Sequence, residues 1–412
     1  MFRIAFTAAF LALAASLAAL PSALAQTPDA QPAGAVAADR PDPYGTGLRE
    51  AATPIAEEIH LFYDGVLLPM KLGISLLILG LLVWVILRFN KRANPTPRKF
   101  SHNTTVEVVW TGVPVLILLI IALPSFELLR VEDTMPDGQV FEYEKEATTQ
   151  FAFANDFPES RMVAKTRHLE VAAISDSGER RLLQPGRDFE VSGLGKETVL
   201  VSLDERLPET ERLEITAGRS RVGHKRLLGI FGPDRSKIVP APTLTIKATG
   251  YQWGWAYSYP DFGDFEFDAL MASEEEAGPE LYRLATTNDI VVPVGETVRI
   301  ITNARDVIHS WTIPAFGIKI DAIPGRLNET WFYTDQERTY YGQCSEICGK
   351  DHAFMPISVR VVPRDEFEAW IDERREFEGL EPMFGDGQMA AAGSGERGDA
   401  SRRLAMNEQG SE

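Results

Sequence analysis

Tyr341-Gly-Gln-Cys-Ser-Glu-Ile-Cys-Gly-Lys-Asp-His-Ala-Phe-Met-Pro356 holds both cysteines of a 412-residue chain in one short segment. Its spacing is C-x3-C-x3-H-x2-M, which sets out Cys344, Cys348, His352 and Met355; His309 lies upstream, beside a separate alternating stretch. Thiolates, imidazoles and a thioether are soft donors that select copper over magnesium or calcium. A mononuclear blue-copper site needs two histidines, one cysteine and a weak axial methionine, and this chain adds a second cysteine. Two thiolates on one loop can each bridge two metal ions, leaving one imidazole per ion. Met355 can then bind one ion weakly and a backbone carbonyl of the loop the other. Such a core suits electron transfer, because it leaves no open position for a substrate.

Two other readings of the cysteines compete. A disulfide is the default for two cysteines in an exported chain. Here it would close a very small loop, for little entropic gain, and would leave His309, His352 and Met355 unexplained. Zinc is disfavoured by Met355, since thioethers are poor zinc ligands. The whole set favours copper.

Around this segment the pattern has period two. Thr243–Thr249, Thr297–Thr302 and Gly317–Asp321 alternate, and turns such as Pro293-Val-Gly295 and Pro324-Gly325 separate them. Short strands at this spacing, ending near Val361-Val362, predict an antiparallel β-sandwich or barrel. A helix is expected over Asp365–Phe377, with Phe367, Trp370 and Ile371 on one face. Residues 135–238 also alternate in places, as at Asp188–Val191, Thr198–Ser202 and Arg212–Thr216, and predict a β-rich module. Nothing in it has catalytic or metal-ligand spacing; His168 and His224 stand alone.

The N-terminal third is apolar. Residues 1–25 read as a secretory signal, with Arg3, an apolar run and Ala23-Leu24-Ala25 as the cleavage site. A Pro/Ala/Asp-rich stretch over 26–54 is expected to lack order. Apolar helices at about 66–87 and 108–129 are each long enough to span a bilayer, with Lys71 snorkelling at one end. Arg88, Lys91, Arg92, Arg98 and Lys99 lie between them with no acidic residue, so this loop is assigned to the cytoplasmic side. A hairpin spanning 55–134 follows, with the remainder exported. Glu107 opens the second helix, either as an ordinary helix-start carboxylate or as a proton-collecting acid. After Gly379 no period remains, and 378–412 is expected to be a disordered tail. Acidic residues outnumber basic ones, 59 to 41, for a net charge of −18, which argues against nucleic acid and favours a basic partner.

The hairpin with Glu107 and Trp110, the run Tyr251–Tyr259, Asp306-Val-Ile-His-Ser-Trp311, Asp321–Arg326 and the cysteine loop together resemble subunit II of a bacterial aa3-type cytochrome c oxidase. That resemblance implies an all-β cupredoxin-like Greek-key domain over 239–377, carrying a binuclear copper (CuA) centre. It follows the two-helix transmembrane hairpin, with the β-rich module 135–238 inserted between. It implies His309, Cys344, Glu346 through its carbonyl, Cys348, His352 and Met355 as copper ligands, and the Glu346 side chain facing a magnesium or manganese ion. Trp253 matches the tryptophan through which electrons arrive, and Glu107 the acid at the mouth of a proton channel. Asp261, Asp264, Glu266, Asp268 and Asp306 become candidates for docking a lysine-rich cytochrome c. The implied partners are the catalytic haem–copper subunit I, subunit III, cytochrome c and the lipid bilayer. The implied location is a bacterial inner membrane, with the N-terminus and copper domain periplasmic. A membrane-tethered copper chaperone is the competing function, although two anchors and β alternation fit it poorly. Gly254 and Tyr251 depart from the family pattern, which usually has tyrosine and often histidine there.

Overall fold

The computed structural model describes residues 38–41, 45–96, 101–143, 149–155, 163–176, 179–205, 207–208, 211–219, 221–222 and 236–385. The expected signal, most of the leader, the tail beyond Gly385, His224, Arg98 and Lys99 lie outside the described residues.

Two helices are long and apolar enough to cross a membrane. The first begins as α1 (Pro54–Phe62), passes through a π-helical turn at Tyr63–Leu67 and continues as α2 (Leu68–Arg88). Thr53 caps it, its hydroxyl accepting from the Ala56 N–H at 3.1 Å. Lys71 donates from Nζ to the Tyr63 hydroxyl at 2.9 Å, which keeps its charge at the helix end, as snorkelling requires. The second helix, α3 (Thr104–Asp133), starts earlier than the apolar run indicates, because Asn103 caps it by accepting from the Val106 N–H. Glu107 therefore sits one turn inside the helix, and its carboxylate accepts from the Asn103 N–H at 3.1 Å. Pro114 and Pro124 lie within α3, yet the helix is continuous. Side chains such as Leu87 and Leu123 point outward and are exposed, as lipid-facing residues are.

The inserted module is β-rich. One antiparallel sheet runs in the order Gln139–Tyr143, Glu211–Ala217, Leu169–Ser175, Arg180–Leu182; the other runs Gln150–Ala154, Thr198–Leu203, Phe189–Ser192. Alternation along each strand sends Phe151, Phe153, Val171, Val199, Val201 and Ile215 into a shared core. This core is separate from that of the C-terminal domain.

The C-terminal domain is the cupredoxin-like sandwich. A five-stranded sheet runs in the order Glu266–Ala269, Gly254–Ser258, Leu244–Tyr251, Thr297–Ala304, Asn328–Tyr333. A second sheet contains Thr339–Gln343, Pro356–Val362 and Ile290–Pro293. Parallel pairing of Leu244–Tyr251 with Thr297–Ala304, and of Ile290–Pro293 with Pro356–Val362, gives the crossed connections of a Greek key. Tyr259 stitches the sheets: its buried hydroxyl donates to the Val291 carbonyl and accepts from the Val291 N–H. The helix Arg364–Phe377 covers one end with Phe367, Trp370 and Ile371 buried.

Both ends of this domain are longer than the sequence indicates. The leader was expected to lack order, yet Ala38–Asp39 pairs in parallel with Thr339–Tyr340. Arg49 closes on the buried Asp39, and Ala52 donates to the Ala315 carbonyl at 2.9 Å. At the other end the chain is ordered through Gly385, because Asp372 accepts the N–H groups of Met383, Phe384 and Gly385. No local period marks either segment: the first is held by pairing with residues about three hundred positions later and by Ala52 in the core, the second by Asp372 and by Phe384 against the core.

Burial alone would raise the Asp372 carboxyl, but these three donors and the nearby Arg375 hold it below the usual carboxylate range. A carboxyl that titrates lower in the folded chain supports these contacts at neutral pH and loses them as the pH falls through the folded value. Protection of the amides of residues 383–385, taken relative to the intrinsic exchange rate at each pH, should therefore fall below roughly pH 4 and be kept at pH 7.

Candidate metal centre

His309 opens the strand His309–Ile313, while the cysteine loop connects Thr339–Gln343 to Pro356–Val362. Pairing of Gln343 with Pro356, and the Cys344 N–H to Met355 carbonyl bond, close the loop at its base. The Ser345 N–H donates to the Ser310 carbonyl at 3.0 Å, which ties the loop to the strand bearing His309. A single turn at His352–Phe354 brings His352 and Met355 back toward the cysteines.

The soft donors converge. Cys344 and Cys348 Sγ are 3.9 Å apart, and His309 Nδ1 is 3.9 Å from Cys344 Sγ. Cys348 Sγ lies 3.5 Å from His352 Nδ1 and 3.4 Å from Met355 Sδ. The Glu346 carbonyl is 3.3 Å from Cys344 Sγ, whereas the Glu346 side chain is exposed. His309, Cys344, Cys348 and Met355 are buried, and both cysteines are free. Their sulfurs stand well beyond the bonded distance of about 2.05 Å, so the disulfide reading does not describe this structure.

The electrostatics call for a cation. Burial alone would raise the Cys344 thiol, but hydrogen bonds from His309, from the backbone at Glu346 and Ser310 and from His352 bring it down to about 7. The Cys348 thiol is pushed up to about 12 by burial and by the charge of Cys344 beside it. Two neighbouring thiolates cannot both be held here without positive charge between them. The donor set therefore fits a soft metal ion.

Asp306, a docking candidate by its charge, has both carboxylate oxygens hydrogen-bonded within the site. Oδ1 lies 2.9 Å from His309 Nε2 and accepts the Val307 N–H; Oδ2 accepts the Gln252 N–H. A carboxylate on the far nitrogen of a ligand histidine fixes its tautomer and ring orientation. Burial opposes a low pKa for Asp306, yet these hydrogen bonds hold it below the usual range. Burial would likewise lower His309, while Cys344 and Asp306 raise it. The spacing D-x-x-H was the available sequence signal for this pair. Gln252 completes the brace, donating from Nε2 to the Cys348 carbonyl at 2.7 Å. Gly250 makes room for it all, because a Cβ there would stand 2.9 Å from the His309 ring.

Trp253 is half-buried and lies over Gly349, whose absent Cβ would sit 3.1 Å from the indole Cζ2. Trp255 is fully buried, 6.0 Å from the His309 ring centre, and is a core residue. The Tyr251 hydroxyl donates to Asp268 at 2.9 Å and covers Gly254, where a Cβ would meet it at 2.9 Å. Tyr251 thus occupies space that a side chain at position 254 would need.

The other acids divide. Asp268 lies at the rim of the site through Tyr251, and Glu266 joins it through an ion pair with Arg305 at 2.6 Å. Asp261 accepts from the Thr245 N–H and Asp264 is exposed in the loop that follows; Thr245 is six residues along the strand from Tyr251, roughly 20 Å. Glu107 is far away along the chain, near the opposite end of α3 from the β-domains. Among the described residues, no cluster of acidic groups surrounds Glu346.

Family comparisons match these parts in order. The family model for the cytochrome c oxidase subunit II transmembrane domain matches residues 41–128, and that for its periplasmic domain matches 244–362. The Rickettsia bellii protein named "Probable cytochrome c oxidase subunit 2" is 34% identical over 335 residues, covering 81% of this chain and 86% of that protein. Cytochrome c oxidase subunit 2 of Cereibacter sphaeroides is 28% identical over 355 residues, covering 82% of each. Among solved structures, the periplasmic domain of subunit II of cytochrome oxidase of Bradyrhizobium japonicum is 55% identical, covering 34% of this chain and 98% of that one, with a TM-score of 0.32. With the hairpin and the sandwich both matched by their own family models, and relatives aligned across four-fifths of its length, the chain belongs to the cytochrome c oxidase subunit II family.

Proposed function

We propose that this chain is the electron-accepting subunit of a haem–copper terminal oxidase, holding a binuclear copper centre with His309, Cys344, the Glu346 carbonyl, Cys348, His352 and Met355. The observation that carries this reading is the convergence of two free, buried thiols with two imidazoles and a thioether on one braced loop. When bound, two coppers would supply a one-electron relay between cytochrome c and the catalytic subunit. The residues serve that chemistry in separate ways. Asp306 orients His309, Gln252 fixes the Cys348 carbonyl, and the packed aromatic core behind Trp255 keeps water away. Trp253 offers the half-buried ring against Gly349 through which electrons arrive. Ile347, Val307 and Ile308 give an exposed apolar rim, with Asp268 and Glu266 beside it for a basic partner.

The remaining assignments belong to the same proposal. The loop between α2 and α3 faces the cytoplasm, where Glu107 collects protons for subunit I. The N-terminus and sandwich are periplasmic, after removal of residues 1–25. Subunits I and III are the membrane partners. The exposed Glu346 carboxylate would meet magnesium or manganese at the boundary with subunit I, because hard cations favour carboxylate oxygen.

Copper analysis of the purified full-length chain tests the central claim. Two coppers per chain, with an electron spin resonance spectrum shared over two nuclei, are expected; a single copper with a localised spectrum overturns it. Asp306→Asn removes the charge that orients His309, so copper affinity should fall about 10–100-fold in chelator competition. Cytochrome c oxidation at low ionic strength should slow as salt is added, and Asp268→Asn should flatten that dependence.

A further inference from the structure

The inserted module and the end of α3 enclose a second feature, a cleft of about 1070 Å³. From α3 it takes Glu127, Arg130 and Val131, just beyond the apolar span; from the module it takes the turn Thr166–His168, part of Leu169–Ser175 and the pair Arg219 and Arg221. Six basic side chains line it, Arg130, Arg167, Arg180, Arg219, Arg221 and Lys237, against two carboxylates, Glu127 and Glu170. In a chain of net charge −18 this is a marked local inversion.

Half of that positive charge is already committed. The buried Glu170 accepts from Arg180 Nη1 at 3.1 Å and from the Ile238 N–H at 3.1 Å, with Arg221 Nη2 at 3.8 Å. Arg180 also binds Glu214, and Lys237 pairs with Asp335 at 3.2 Å. Arg130, Arg167 and Arg219 form no ion pair among the described residues. His168 adds an independent observation. It lines the cleft, is 6% exposed, and its buried Nδ1 has no hydrogen-bond partner. Burial first, then the charges of Arg167, Arg219 and Lys165, hold it below the usual histidine range, outweighing the opposing charge of Asp137, so the space around it is on balance positive.

We propose that this cleft binds the phosphate headgroup of an anionic phospholipid, drawn from the leaflet that meets the inserted module. Guanidinium forks match phosphate oxygens in a bidentate way, and Arg167 and Arg219 both line the cleft, close enough to His168 for their charges to act on it. Position selects the source. Arg130 and Val131 belong to a helix whose preceding turns are apolar enough to lie in hydrocarbon, so a headgroup at the bilayer surface reaches the cleft without leaving its membrane. Val131 and the half-exposed Leu182 give the glycerol and upper acyl carbons an apolar wall. The insertion thereby gains a role: it seats an anionic lipid against the outer end of α3.

The test uses the full-length chain in nanodiscs of phosphatidylcholine alone, or of phosphatidylcholine with a minor fraction of phosphatidylglycerol. A third sample adds inorganic phosphate to the phosphatidylcholine discs. Phosphatidylglycerol retained through mild detergent extraction is counted by native mass spectrometry, and amide exchange is followed over Thr166–Ser175 and Arg221–Val222. Selective retention of phosphatidylglycerol, with slowed exchange in both segments, is expected. Arg167→Ala/Arg219→Ala should weaken retention by at least about tenfold, while Arg187→Ala, an exposed arginine paired with Asp188 outside the cleft, should not change it. Should the double variant unfold, Arg130→Gln on α3 probes the same site from the other element and should also reduce retention. Equal retention of both lipids, or retention unchanged in a folded cleft variant, overturns the proposal. Equal protection by inorganic phosphate in neutral discs overturns the lipid as its source.

Discussion

Cys344→Ser should leave a folded subunit that no longer forms the proposed binuclear centre. Serine matches cysteine in shape, and position 344 is buried behind a loop closed by backbone hydrogen bonds, so the β-framework should persist. What changes is charge. The Cys344 thiol is brought down to about 7 by His309, His352 and nearby backbone groups, so it supplies a thiolate near neutral pH. A serine hydroxyl supplies none. Cys348, relieved of the repulsion from Cys344, would become an ordinary buried cysteine able to hold one ion with His352 and Met355. Copper should fall from two per chain to one or fewer, and the spin resonance spectrum should become localised. Loss of a direct ligand should exceed the 10–100-fold cost typical of removing an outer hydrogen-bond partner, so cytochrome c oxidation should fall by more than about 100-fold. A doubly shared spectrum in Cys344→Ser would show that the two sulfurs are not the bridges.

The cluster on the cysteine loop was legible because its soft donor residues are close in sequence and chemically unlike the rest of the chain. The strands and the helix Arg364–Phe377 were legible because burial on one face imposes a period. Features held by distant hydrogen bonds were not. Ala38–Asp39 and Arg49 pack against a sandwich three hundred residues later in the sequence, and no local pattern marks them. The start of α3 was misplaced because the apolar run, rather than the Asn103 cap, was taken as its signal. The bracing role of Asp306 was hidden for a related reason. Charge alone made Asp306 resemble Asp268, while only the folded chain shows its oxygens bonded to His309, Val307 and Gln252.

Trp253→Ala should separate electron arrival from metal binding. The indole lies on Gly349, next to Cys348, and that contact is possible only because position 349 has no Cβ and a φ of +126°. Gln252, its neighbour, reaches the Cys348 carbonyl by one hydrogen bond. From the half-buried ring to a cysteine of the site there is thus one van der Waals contact and no intervening side chain. Truncation removes the ring but none of the donor atoms, so copper content and the spin resonance spectrum should be unchanged. Steady-state turnover with cytochrome c should fall on the order of 100-fold, equivalent to about 2.7 kcal/mol of barrier, and the loss should appear in kcat rather than KM. Trp253→Phe, which keeps a smaller aromatic ring over Gly349, should be intermediate. Loss of copper in Trp253→Ala would instead make Trp253 a support for the loop, and undiminished turnover would remove it from the path. Trp255 provides the contrast. It is fully buried beside His309, so Trp255→Ala should cost about 3–5 kcal/mol of folding stability, with its effect on turnover following the loss of folded protein.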